Sequence, residues 1–132
     1  MNKSRFPNWQ QPEFDSQGMT KWNWICKYHE NLLIGKNTDI GAFTFINAIY
    51  SVEIGENVQI GSHCSLYSLS TIDNKQGKIM IKENAKIGTH SVIMPGVTIG
   101  RNSVIGAFSF VNKDVPDNAR ALGIPINRIT NV

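Results

Sequence analysis

Residues 78–111 read KIMIKENAKIGTHSVIMPGVTIGRNSVIGAFSFV, and in that stretch an aliphatic residue returns every six positions, at Ile81, Ile87, Ile93, Ile99, Ile105 and Val111. The same beat runs earlier through Ile34, Ile40 and Ile46, and again through Ile54, Ile60 and Leu66. Glycine follows many of these residues, as at Gly35, Gly41, Gly55, Gly61, Gly88, Gly100 and Gly106. Four places after each aliphatic residue stands a mostly small one, such as Thr44, Cys64, Ala85, Ser91, Ser103 and Ser109, with Tyr50 the bulky exception. A period of six matches neither an amphipathic helix nor an alternating strand. It matches a short strand plus a corner: one aliphatic side chain points inward, a small residue permits the bend, and glycine or asparagine supplies unusual corner angles. Three such edges close a triangular coil, and coils stack at strand spacing, roughly 4.8 Å. The fold expected is all-β, a single-stranded parallel β-helix.

The register extends this reading. Val52-Glu53-Ile54 and Ile79-Met80-Ile81 each restart the period after a slip and so open new coils. About four coils result, starting near Ile34, Ile54, Ile81 and Ile99. Residues 72–78, IDNKQGK, carry turn-forming composition and leave the helix as an external loop. Residues 1–33 hold all three tryptophans and no repeat, as expected of an irregular N-terminal cap over the open end of a solenoid. The β-helix then covers 34–116, and 117–132 drops out of register as an outer tail. The whole is one domain, as its 132 residues suggest.

Composition narrows the partners. A formal net charge of +3 with no run of Lys or Arg suits a small anionic partner, a phosphorylated cofactor or a nucleotide sugar, rather than nucleic acid. Two cysteines, Cys26 and Cys64, are too few for a disulfide framework. The first residues lack an apolar signal core, and no stretch approaches a membrane span. A cytoplasmic protein with reduced thiols is the expectation.

Stacked coils turn equivalent positions into columns. Asn37, Asn57, Asn84 and Asn102 form one, explained by asparagine's tolerance of left-handed backbone at corners. Phe43, His63, His90 and Phe108 form another, with the flanking repeats IGAFTF and IGAFSF nearly identical. Packing at a subunit interface is the plainer reading of either histidine alone. Together they make the leading site: imidazole exchanges protons near neutral pH. Two such rings one strand spacing apart repel each other's charged forms, which leaves one of them neutral and able to act as a base.

From Ile60 to Ile129 the chain resembles the hexapeptide-repeat acetyltransferases, in particular the branch acting on sugars. The segments carrying the resemblance are IGSHCSLYS, MPGVTIG, VIGAFSFVNKDVPDN and GIPINRI. It implies a left-handed winding of the β-helix, a homotrimer, acyl-CoA in the groove between subunits, and a sugar acceptor entering from the other side. It also implies backbone contacts from Ala107 and Ser109 to the pantetheine arm. Lys113 of VNKDVP matches a position that approaches the CoA phosphates, and Arg128 is chemically suited to do the same.

One departure matters. Family members acting on sugar hydroxyls keep a histidine base in the loop after an Ile-Tyr pair, whereas this chain reads LYSLSTID over 66–73. His63 or His90 is the replacement, or the acceptor needs less help. An unprotonated amine is already nucleophilic, while a hydroxyl must lose its proton as it attacks. The reading therefore turns toward acetyl transfer from acetyl-CoA to the amine of a nucleotide-linked amino sugar, in surface polysaccharide synthesis. Tyr67, Asp73, Asn74 and Lys75 are the candidates to meet that substrate, with no metal expected. Three alternatives stand beside it: sugar O-acetylation, a non-catalytic β-helix used in assembly, and a metalloenzyme like the trimeric β-helix carbonic anhydrases. The last needs a third histidine near His63 and His90, and only His29 of the cap is left.

Overall fold

The computed structural model describes residues 7–132. The chain visits three parallel sheets in strict rotation. The first sheet stacks Ile25–Lys27, Phe45–Asn47, Ser65–Tyr67, Val92–Ile93 and Phe110–Val111. The second stacks Leu32–Ile34, Val52–Ile54, Ile79–Ile81 and Thr98–Ile99. The third stacks Asp39–Ile40, Gln59–Ile60, Lys86–Ile87, Val104–Ile105 and Ala119–Gly123. Ile34, Ile54, Ile81 and Ile99 lie in one register, as do Ile40, Ile60, Ile87 and Ile105. These are the residues that the period of six aligns. Nearly all point into a core filled by the aliphatic column of each sheet, with Ile46, Leu66, Ile93 and Val111 fully buried. Each fully buried Ile or Leu contributes about 1.5–3 kcal/mol, so the inward columns hold the solenoid together.

Small corner residues do more than save space. Thr44, Ser91, Ser103 and Ser109 are buried, and their hydroxyls donate to main-chain carbonyls of the coils. No buried side-chain nitrogen or oxygen among the described residues lacks a partner. The repeat glycines have a different reason from the one expected. Gly88 does not take a left-handed angle; a Cβ there would lie 2.5 Å from the backbone nitrogen of Ala107 in the next coil. Close approach of coils, not corner geometry, keeps that position bare.

Both ends differ from the boundaries that the period suggests. Ile25–Lys27, inside the expected cap, pairs in parallel with Phe45–Asn47 and puts Cys26 under Ile46. Ala119–Gly123, inside the expected tail, continues the third sheet with Ala121 beside Ile105, and Ile126–Asn131 then returns antiparallel to it. Cysteine and alanine fill the inward positions there, so an aliphatic beat does not register them. Trp24 closes the N-terminal end, buried and edge-on to Phe14, and the Trp9 indole N–H donates to the Thr38 carbonyl at 2.8 Å. The external loop is ordered as a small hairpin, Leu69–Ser70 against Lys75–Gln76, with Ile72 fully exposed at its tip. No helix among the described residues is long and apolar enough to cross a membrane.

Candidate functional site

Two corners of the triangle carry columns with the same backbone. Asn37, Asn57, Asn84 and Asn102 turn from the second sheet to the third with φ between 60° and 63°. Phe43, His63, His90 and Phe108 turn from the third sheet to the first with φ of 67°, 58°, 61° and 60°. Asparagine tolerates that conformation, whereas a bulky side chain pays about 1–2 kcal/mol for it. The aromatic rings recover part of this by stacking. Phe43 and His63 lie 5.1 Å apart, His63 and His90 4.7 Å apart at 5°, and His90 and Phe108 4.8 Å apart at 11°. At mid-range values three such contacts, about 0.5–1.5 kcal/mol each, offset about half the cost of four strained corners. Strain of this kind collects at functional sites.

All four side chains are exposed, Phe43 and Phe108 to 65% and 59%. His90 is fixed sideways as well: its Nδ1 lies 2.8 Å from the Thr89 hydroxyl, which donates to the Ser62 carbonyl at 2.8 Å and lies 3.2 Å from the Ser62 hydroxyl. Thr89 and Ser62 escaped the sequence reading, yet a signal was there. The residues preceding the column read Ala42, Ser62, Thr89 and Ala107, with a hydroxyl only where a histidine follows.

The other candidates are dispersed. Tyr67 is half-buried at the end of its strand, tilted over Phe45 at 5.8 Å. Asp73 and Lys75 sit in the hairpin and pair with each other at 3.9 Å, with Asn74 between them in a left-handed turn conformation. The hairpin leaves the far edge of the first sheet, so the strand Ser65–Tyr67 separates it from the histidine corner of its own chain. Ala107 is exposed beside Phe108. Ser109 is buried, with its amide bonded to Ser91 Oγ and its carbonyl to the Val92 amide. Its main chain is thus committed to the neighbouring coil, which leaves Ala107 as the member of that pair open to a ligand. Lys113 and Arg128 are exposed and unpaired among the described residues. A cavity of about 270 Å³ lies elsewhere, between the cap and the first coil, lined by Trp9, Trp22 and Trp24 among others but by none of these candidates.

Cys64 sits under the histidine corner but faces inward, its thiol against the Gly88 carbonyl at 3.3 Å. Burial pushes its pKa up, overriding main-chain hydrogen bonds from Ser91 and His90 that pull the other way. It stays a thiol at neutral pH and is no nucleophile. His29 stacks on Phe14 at 4.5 Å in the cap, and among the described residues no three His, Cys, Asp or Glu side chains converge as a metal site requires.

A three-sided parallel β-helix with six-residue sides defines the hexapeptide-repeat class. Residues 78–113 match the family model described as bacterial transferase hexapeptide (six repeats). The galactoside O-acetyltransferase of Escherichia coli K12 is 40% identical over 80% of this chain and 56% of its own length. The maltose O-acetyltransferase of Clostridium difficile 630 superposes with a TM-score of 0.75 at 31% identity, covering 83% of this chain and 63% of that one. A hexapeptide-repeat acetyltransferase of Vibrio cholerae, solved with acetyl coenzyme A, gives 0.74 at 31% identity over 80% of this chain and 62% of that one. By its fold and this match the chain is a hexapeptide-repeat protein whose coils form a left-handed β-helix, and it is similar to sugar acetyltransferases that carry the same repeat. It spans a little over half the length of the galactoside enzyme it matches.

Proposed function

We propose that this protein transfers an acetyl group from acetyl-CoA to a sugar acceptor, with a histidine of the His63/His90 corner as the base. The observation that carries the proposal is the exposed pair of stacked imidazoles, held on a strained corner that folding alone does not explain. The acceptor's nucleophile attacks the thioester carbonyl, the histidine takes its proton, and the CoA sulfur leaves with a proton returned by the same ring. No acyl-enzyme is needed. Lys113 and Arg128 are the cations suited to CoA phosphates, and the exposed Ala107 backbone is suited to the pantetheine arm.

A homotrimer is part of the proposal. The hairpin with Asp73, Asn74 and Lys75 and the histidine corner lie at opposite edges of the first sheet, so a neighbouring copy is what can bring the two together over one acceptor. The exposed rings of Phe43 and Phe108 suit such a contact.

An amine of a nucleotide-linked amino sugar is the favoured acceptor, because residues 66–73, LYSLSTID, hold no histidine where the resemblance to sugar hydroxyl acetyltransferases implies one. The second reading, acylation of a sugar hydroxyl, is favoured by the printed names of the relatives. Turnover of acetyl-CoA with amino-sugar nucleotides and with simple galactosides and maltose separates the two. Faster turnover with the amines is expected. Preference for the hydroxyl sugars transfers the assignment to O-acetylation, and no acceptor-dependent turnover with either group rejects the enzyme reading.

A further inference from the structure

We infer that Thr89 is a positioning residue that holds His90 as the tautomer protonated on Nδ1, leaving Nε2 as the proton acceptor. This inference rests on the acyl-transfer reading and names His90, rather than His63, as its base.

The hydrogen-bond inventory decides the tautomer. A threonine hydroxyl has one proton to give and two lone pairs. Thr89 Oγ1 lies 2.8 Å from the Ser62 carbonyl, which can only accept, so the Thr89 proton is committed there. The same oxygen lies 2.8 Å from His90 Nδ1. If Nδ1 carried no proton, Thr89 would have to turn its own proton toward the ring. Two bare oxygens would then face each other across 2.8 Å. With Nδ1 protonated, every contact is satisfied: the ring N–H donates to Thr89, and Thr89 donates to Ser62. A neutral ring so held has its lone pair on Nε2.

Stacking removes the remaining freedom. His90 lies nearly parallel to both His63 and Phe108, at 4.7 Å and 4.8 Å, so the ring cannot swing out of its plane. Only its in-plane orientation is left to choose, and the Thr89 bond chooses it. No side-chain hydrogen bond among the described residues holds the His63 ring in this way, although Ser62 precedes it.

The chain of donors also supports the charged state that the reaction passes through. As the acceptor's nitrogen bonds to the acetyl carbonyl carbon, its proton moves to Nε2 and the ring becomes an imidazolium. Nδ1–H then donates more strongly to Thr89, whose hydroxyl is polarised by the Ser62 carbonyl. When the C–S bond breaks, Nε2–H delivers the proton to the CoA sulfur. The ring returns to its starting tautomer, and the products are the acetylated acceptor and free CoA.

The test is 15N NMR of the histidine rings in the full-length protein, alongside steady-state kinetics of Thr89→Val and Thr89→Ser. The His90 signals are assigned by their loss in His90→Asn. In the unaltered protein the His90 ring is expected to show a protonated Nδ1 and an unprotonated Nε2. Thr89→Val is expected to release that preference and to lower kcat about tenfold to a hundredfold, with KM for acetyl-CoA unchanged within about twofold. Thr89→Ser, which keeps the hydroxyl, should restore both the spectrum and most of the rate. A neutral His90 protonated on Nε2 in an active enzyme overturns the inference and leaves acyl transfer standing. So does a Thr89→Val protein that keeps both spectrum and kcat. A ring protonated on Nδ1 in a protein that turns over no acetyl-CoA supports the hold of Thr89 and sinks the acyl-transfer reading instead.

Discussion

The asparagine corner and the histidine corner make the same turn with the same left-handed backbone, yet only one of them uses the residue that the turn prefers. Asn37, Asn57, Asn84 and Asn102 repeat on every coil, and the column continues to Asn118, whose side chain accepts from Asn102 at 3.1 Å. Nothing there calls for more than folding. Phe43, His63, His90 and Phe108 accept strain to stand exposed in a stack. Two corners of this solenoid share one backbone conformation, so one of them serves as an internal control for the other. What the control lacks, exposed ionisable rings and a hydroxyl network beside them, is what the proposed function draws on.

The sharpest way to break the comparison is to make the second corner like the first. His90→Asn installs the residue that the neighbouring corner uses at the same φ. The change is expected to lower kcat by about 10²–10⁴ while stability moves by about 1 kcal/mol or less. His63→Asn should fold equally well and lose less rate. Kinetics paired with urea unfolding checks both. A smaller effect is expected beneath the corner at Gly88→Ala, where the new methyl meets the Ala107 backbone of the next coil. Unfolding should show a loss of about 1–3 kcal/mol. Asn84→Ala probes the control corner: about 1 kcal/mol of stability should go, with kcat unchanged.

A separate effect is a pH dependence that arises in the N-terminal coil. Burial, with the Glu30 charge adding to it, pushes the Cys26 thiol from 9.0 up to about 12. The folded state therefore resists ionisation that the unfolded chain accepts. Its contribution to stability is complete below about pH 9 and is lost as pH rises from there toward 12. Denaturant midpoints measured at about pH 8 and again near pH 10.5 should fall more for the unaltered protein than for Cys26→Ala. Equal falls would show that the thiol is not what responds.

Most of the solenoid was legible in the sequence because its core obeys one simple rule. An inward Ile or Leu every six residues names its own neighbours above and below, so the stacking of Ile34, Ile54, Ile81 and Ile99 is readable in the sequence. The rule fades where the inward residue is small. Cys26 and Ala121 continue the first and third sheets without an aliphatic side chain, and the helix looked shorter than its ladders. The role of glycine is hidden for a related reason. Its value at Gly88 lies in a contact with the next coil, which no single repeat displays. Within the site, the pairing of His63 with His90 follows from the period and its restart at Ile79-Met80-Ile81 after the external loop. The direction of a hydroxyl does not: Ser109 turns inward to the Gly106 carbonyl, while Thr89 turns toward His90. Side-chain direction at a corner depends on the left-handed turn beside it, and residue type signals that turn at asparagine but not at phenylalanine or histidine.

The most direct measurement is the mass of the acceptor after incubation with acetyl-CoA and an amino-sugar nucleotide. The unaltered protein is compared with His63→Asn/His90→Asn, once matching thermal melts establish that both are folded. The account predicts an acceptor heavier by one acetyl group with the unaltered protein and almost none with the double variant. Acetylated acceptor formed equally fast by both proteins would contradict it, and would move the chemistry away from the histidine corner.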